Sequence, residues 1–446
     1  MAVGSKIWES WNRISYQVFQ AIVRDEARQA RDDPSAQVRN TWLCVPQLIS
    51  NLACLTACTS AAGGPGDALR RELMNESPET GSIALNMPRT MMNLVGDELR
   101  QWENFLHSVS KPGMFTLARR IIVHPKFTKS YGYNTFVTMN NLGVEAKIYD
   151  GPAEILQWIQ KNLRITSLSA CPFEIWRGAE THLKKEAPKE TINREIIITK
   201  SNQKCPIFAW ASHLQIAFKS GIFESEVVFT MSGTTDKKGE ELYIRFHSEK
   251  PKMRHCSVGR TGILEVPTNS TSVFLYFVTE VERSVTGPQL LDMIKEMQKT
   301  NPETHTAYVP IWWPHEHVSN VAKGIKNSLD AEPLFSHGGF GDFAMEDAEA
   351  SAEFSKKFTS SIQHFDMITV FHTPDTNSVR RMILQAPPFN VAHVTCPFTL
   401  VVYDDKKKMP VYYGRIVRPR VVDMKTQNDG EKKDHIPGPK KWCHFM

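Results

Sequence analysis

Residues 47–59 carry Leu, Ile, Ala and Cys around the whole circumference of a helix. A helix that is apolar on every side must be buried on every side, so the rest of the chain has to wrap around it. The Ala61-Ala62-Gly63-Gly64-Pro65-Gly66-Asp67 stretch stops this helix and places Asp67 to cap the next one. The 446 residues are 41% apolar, with 10 Trp and 23 Phe, which is ample material for a large core. Length alone suggests about two to four domains, but a mixed fold of this size also forms as one unit.

Further elements follow from periodicity and turn residues. Tyr16, Phe19, Ile22 and Val23 recur at helical spacing in an opening helix. Residues 40–46 read as a short strand ending in a turn, and 115–123 as a strand. A helix ends near Trp158-Ile159, and the Lys/Glu-rich stretch 171–194 reads as a connection. Strand-like segments dominate 195–278, followed by amphipathic helices at 287–298 and 319–329. Residues 353–365 suit a helix feeding a strand. The longest compact apolar run, Val273-Phe274-Leu275-Tyr276-Phe277-Val278, has the length of a buried strand.

Composition excludes several classes. The net charge of +5 is mild. The Lys clusters Lys406-Lys407-Lys408 and Lys440-Lys441 are short, without the basic stripe and interleaved aromatics of a nucleic-acid binder. The first eight residues lack the apolar core of a secretory signal. No apolar run approaches the roughly 18 residues of a membrane span. The eight cysteines lie far apart with no C-x-x-C pair, which suits reduced thiols. Together these lead us to expect a cytoplasmic protein, with the sequon Asn269-Ser270-Thr271 arising by chance. His315-Glu316-His317 lacks the H-E-x-x-H spacing and a third ligand, so it reads as a solvated strand end. Cys54 and Cys58 share a helix face as small core residues. Gly338-Gly339-Phe340-Gly341 is a turn, since no Lys-Ser/Thr follows it to make a phosphate cradle. With no G-x-S-x-G and no P-loop, we expect no enzyme, no cofactor and no metal site.

Several segments resemble, in order, the signatures of the serpins. Val411-Tyr412-Tyr413-Gly414-Arg415-Ile416-Val417-Arg418-Pro419 is similar to the closing "LFxGRVxxP" strand. Cys396-Pro397-Phe398-Thr399-Leu400-Val401-Val402-Tyr403-Asp404 resembles "HPFLFLIRD", with Cys396 where His is usual. Leu264-Glu265-Val266-Pro267 resembles "LELP", Val309-Pro310-Ile311-Trp312 resembles "LPKF", and Ile155-x-x-Trp158 resembles "INxWV". Pro333-Leu334-Phe335 with Gly341-Asp342-Phe343-Ala344 is similar to "DLF…ADFSG", and residues 40–64 resemble the buried second helix with its entry strand. The resemblance covers about 10–419 and is weakest over 170–255. It implies an α+β serpin fold: a large central mixed β-sheet, two smaller sheets, eight or nine helices and an exposed reactive-centre loop at about 367–390. Residues 420–446 read as a disordered basic C-terminal tail. Cys44, Val45 and Gln47 depart from the small Ser and Pro residues the family places beneath the main sheet, and Arg119 stands where Asn is expected. These departures put in doubt the sheet opening on which the family mechanism depends.

That mechanism, as the resemblance implies it, needs no catalytic residue. A protease cuts the loop, and the loop inserts as a new strand that distorts the acylated protease. Because side chains alternate faces along a strand, every second hinge residue must enter the core. The hinge equivalent here, counted from Phe354-Ser355-Lys356, is 367–376, with Met367, Thr369, Phe371, Thr373, Pro374 and Asp375 as its marked residues. One register buries Phe371 and Asp375, and the other buries His372 and Pro374. A buried unpaired carboxylate costs several kcal/mol, and proline breaks the ladder of a central strand. The spacing from Met367 to Cys396 is close to that of the family, so an exposed loop is expected. Its scissile bond falls among Arg380, Arg381, Met382, Ile383 and Leu384, where Arg380-Arg381 is either bait for a dibasic-cutting protease or a pair of solvated loop charges. The chain ends Cys443-His444-Phe445-Met446, formally a C-a-a-X box for prenylation of Cys443 behind Lys432, Lys433, Lys440 and Lys441. We therefore expect a monomeric serpin homologue that binds a protein partner such as a protease without trapping it. The alternatives are an active serine or cysteine protease inhibitor, or an interaction protein held weakly at a membrane by its tail.

Overall fold

The all-round apolar helix is α2 (Val45–Ala57), and every one of its residues is buried. The structure, a computed structural model, describes residues 3–32, 39–57, 65–75, 88–109, 115–123, 138–173, 207–219, 222–229, 240–247, 253–258, 260–279, 285–302, 306–312, 315–329, 362–371, 381–384, 392–418 and 421–422. Before α2 come α1 (Val3–Asp32) and β1 (Thr41–Cys44). The strand passes directly into the helix with no intervening turn. Pro46 is compatible with this because a first helical turn has no use for its missing N–H. Next come α3 (Pro65–Met74), α4 (Pro88–Val109), β2 (Phe115–Val123), β3 (Glu145–Ile148) and α5 (Pro152–Leu163). Beyond them lie β4 (Ile207–Ala217), β5 (Phe223–Phe229), β6 (Glu240–His247), β7 (Arg254–Val258), β8 (Thr261–Pro267), β9 (Val273–Thr279) and α6 (Gly287–Gln298). The last third holds β10 (Thr306–Pro310), β11 (His315–Asn320), α7 (Val321–Ser328), β12 (Ile362–Phe371), β13 (Arg381–Leu384), β14 (Ala392–His393), β15 (Phe398–Asp404), β16 (Met409–Ile416) and β17 (Val421–Val422).

Three sheets result. The central sheet runs β11-β12-β4-β2-β3 and holds the longest strands. It is mixed, because β12 pairs in parallel with β4 and β2 in parallel with β3, while the other neighbours are antiparallel. A second sheet runs β1-β16-β15-β9-β8-β7, and a third runs β13-β5-β6-β10-β14, with β17 also on β6. The helix α2 touches both β4 and β16, and so lies between the central sheet and the second one. That is how a helix without a polar face is satisfied. On the other face of the central sheet, α5 buries Ile155, Trp158, Ile159 and Leu163 in a separate core with Ala209, Ala211, Phe365 and Met367. It starts at Gly151, whose φ of 99° favours glycine, and Pro152 follows at a first-turn position.

Two expectations shift. Residues 319–320 are strand, not helix, because they pair with β12, and the helix begins only at Val321. Residues 362–365 are strand as well. The chain is also held to the body beyond 419, since Val421–Val422 pair with Glu240 and Glu241, while 423–446 and Cys443 lie outside the described residues. Gly414 of the closing strand is required by its partner: Trp42 sits directly opposite, and a Cβ at 414 would overlap the indole ring. Overpacking a fully buried rigid ring falls at the upper end of the usual range. Gly414→Ala is expected to lose about 3 kcal/mol of stability, read as a lower urea midpoint with an unchanged slope.

Candidate functional site

The parallel β4–β12 pair is the site on which the expected mechanism turns. Its register runs without interruption from Ile362 opposite Phe208 to Phe371 opposite Ala217. Alternation sends Trp210, Ser212, His364 and Asp366 toward α2, and Ala211, His213, Met367 and Thr369 toward α5.

Each face of this seam carries a polar tie. On the α2 side, Ser212 Oγ donates to Asp366 Oδ1 at 2.5 Å, and the Cys44 backbone N–H donates to Asp366 Oδ2 at 3.2 Å. Tyr412 OH donates to Ser212 Oγ at 2.6 Å, so the second sheet is tied to the seam through the same hydroxyl. On the α5 side, His213 Nδ1 lies 3.1 Å from the Leu163 carbonyl. A carbonyl only accepts, so Nδ1 carries the proton and Nε2 accepts from the Thr369 hydroxyl at 3.1 Å. Burial lowers the His213 pKa, in keeping with this neutral form. The imidazole thus joins β4, β12 and the end of α5. His364 is fully buried; burial first, then the nearby Arg119 charge, pushes its pKa down to about 3.

The departures beneath the sheet form one connected group. Gln47 Nε2 donates to the Ala211 carbonyl at 2.5 Å, and its Oε1 accepts from Arg119 Nε at 2.8 Å. Arg119 also donates to the Leu142 carbonyl at 2.7 Å and forms an ion pair with Glu103 of α4. Outside the sheet, the guanidinium of Arg120 lies over the Trp158 ring and pairs with Glu145 and Glu154, fastening the start of α5.

The marked hinge and loop residues are placed differently from the sequence reading. Met367, Thr369 and Phe371 lie inside β12, opposite His213, Gln215 and Ala217, with β11 also pairing Met367 from the other side. The run Ile368-Thr369-Val370-Phe371 is β-branched and aromatic, so it continues the strand rather than bending away. Arg381, Met382, Ile383 and Leu384 form β13, parallel to Glu226–Phe229 of β5, and so are paired strand rather than open loop. Only the nine residues 372–380 separate β12 from β13, short of the expected 367–390 loop. Thr373, Pro374, Asp375 and Arg380 are among them, outside the described residues. His317 is also corrected: it is buried rather than solvated, with Nδ1 accepting from the Trp42 N–H at 3.4 Å. Among the described residues no group of three or more His, Cys, Asp or Glu could hold a metal ion. Cys44, Cys54, Cys171, Cys256 and Cys396 are free thiols. Sequence reasoning missed Asp366, Ser212, His213 and Tyr412. The signal for Asp366 was a carboxylate within a run of strand formers.

No family model and no curated protein matches the chain. Solved structures do. The crystal structure of native protease nexin-1 with heparin is 12% identical, with a TM-score of 0.56 over 94% of this chain and 100% of that one. The Manduca sexta serine protease inhibitor (serpin)-12 is also 12% identical, with a TM-score of 0.53 over 92% of this chain and 98% of the other. The chain therefore has the serpin fold, with its central sheet five-stranded and its β4–β12 seam shut.

Removing Arg119 would leave Gln47 and Glu103 without their partner at a largely buried position. Breaking such a pair from one side costs about 3 kcal/mol or more. Arg119→Leu is expected to show that loss in chemical denaturation, and adding Glu103→Gln is expected to recover part of it.

Proposed function

We propose that this protein is a divergent serpin-family member that binds a protein partner, a protease or a relative of one, and does not trap it. The observation that carries this reading is the short connection between β12 and β13. A cut between Arg380 and Arg381 frees no more than 372–380 for insertion. Reversing direction takes about two residues, which leaves a strand of roughly 23 Å at about 3.3 Å per residue. The seam it must fill is ten residues long, roughly 33 Å at the same rise. Such a strand stops about a third short. It must also separate Ser212 from Asp366 and His213 from Thr369, and bring Pro374 or Asp375 into the core. A slow, incomplete insertion loses to deacylation, and the protease leaves with the loop cut.

On this reading the protein has no catalytic residue. It works as a cytoplasmic monomer, with the free cysteines as the supporting observation. Among the described residues no helix is long and apolar enough to cross a membrane. One observation favours an active inhibitor instead: the parallel β4–β12 pair is the arrangement that an antiparallel strand can enter on both sides. Incubation with a trypsin-like or dibasic-cutting protease distinguishes the two. The proposal expects cut protein and free protease on a denaturing gel, whereas a covalent complex that survives denaturant establishes the inhibitor.

A further inference from the structure

The closed seam has a carboxylate at its centre. Asp366 is 1% exposed, and no ion pair to it occurs among the described residues. Every element around it brings hydrogen bonds or weak charge rather than a firm cation. From β1 comes Cys44, whose thiol burial keeps protonated, and from β16 Tyr412, whose hydroxyl burial keeps neutral. From β11 comes His317, which has Glu26 of α1 at 3.7 Å on its other side. Asp366's own strand offers His364, held neutral by burial beside Arg119 of β2. The helix α2 carries no charged side chain at all. From α7 come Lys323, bonded to Asp25 of α1, and the half-exposed Lys326. His213 of β4 faces the opposite side of the sheet.

We infer that Asp366 is a proton-operated latch on the β4–β12 seam, shut while its carboxyl is protonated and loosened when it ionises. A neutral carboxyl fits this dry core with the Ser212 bond reversed: Oδ1–H donates to Ser212 Oγ, while Oδ2 accepts from the Cys44 N–H. An ionised one has two hydrogen bonds and no counter-charge, and parting the strands to admit water relieves it.

The sign follows from burial, which outweighs the hydrogen bonds from Ser212 and Cys44 and a neighbouring His317 charge. Together they leave the carboxyl pushed up from 3.8 to about 6. The closed state thus holds a proton that the open, hydrated state gives up. Closure is favoured at low pH, weakens as pH rises from about 4 to about 6, and stays weakened above that. A shift of about two units bounds the effect at roughly a hundredfold in the opening equilibrium.

The test is hydrogen exchange of the full chain at pH 5 and pH 8, corrected for intrinsic rates, comparing β4 and β12 with β8 and β9 as internal reference. Opening of β4 and β12 is expected to rise about tenfold or more between the two. In Asp366→Asn the rise should vanish, with the seam as protected at pH 8 as at pH 5. In His317→Gln it should persist. Asp366→Ser gives the same flat profile if the asparagine variant fails to fold. A flat wild-type profile overturns the latch. So does a rise that survives both Asp366 variants, or one that disappears in His317→Gln alone, which would make the histidine the titrating group.

Discussion

The structure depends on one pairing, that of β4 with β12 over the buried helix α2. It is parallel and ten residues long, and it lies between two cores, one built on α2 and the other on α5. The loop insertion that the serpin resemblance implies requires this pair to part. Here the pair is tied on both faces by side chains specific to this sequence, with Asp366 and Ser212 below and His213 and Thr369 above. The tie below continues through Tyr412 into the second sheet, and the tie above continues through Leu163 into α5. Opening the seam therefore disturbs three layers at once.

Beneath the sheet, the same position in space shows two ways of satisfying a buried polar group. Gln47 and Arg119, which depart from the Ser/Pro and the Asn that the resemblance leads one to expect, are each fully engaged, by backbone carbonyls, by one another and by Glu103. A buried arginine with a carboxylate partner is stable in place but costly to disturb. Asp366 lacks such a partner, and its hydrogen bonds alone hold it. The closed sheet is thus rigid around Arg119 and sensitive to protonation around Asp366.

Much of the fold was legible in the sequence, because it follows from local pattern. The all-round apolar α2, the strand 115–123, the helix 287–298 and the closing strand pair each stand where periodicity and resemblance place them. The helix at 287 also begins on a Thr286–Gln289 capping box. What local pattern could not supply was partnership across the chain. Asp366 becomes significant only beside Ser212, which is 154 positions away. Arg119 looks disruptive until Glu103 is found facing it from α4. The loop was overestimated for the same reason: a strand ends where its neighbours stop pairing, and β4 and β5 lie more than a hundred residues from β12 and β13. Fold alone does not decide function; the non-trapping reading proposed above rests on the length of 372–380 and the ties across the seam.

On the proposed reading, cutting the loop does not release a strand able to fill the sheet. Thermal unfolding of the intact protein and of protein cleaved within 372–380 measures this most directly, since a new central strand would add many buried hydrogen bonds and contacts. The two midpoints are expected to agree within about 2 °C. A rise on the order of 20 °C after cleavage would contradict it, because a gain of that size means the sheet has accepted the loop.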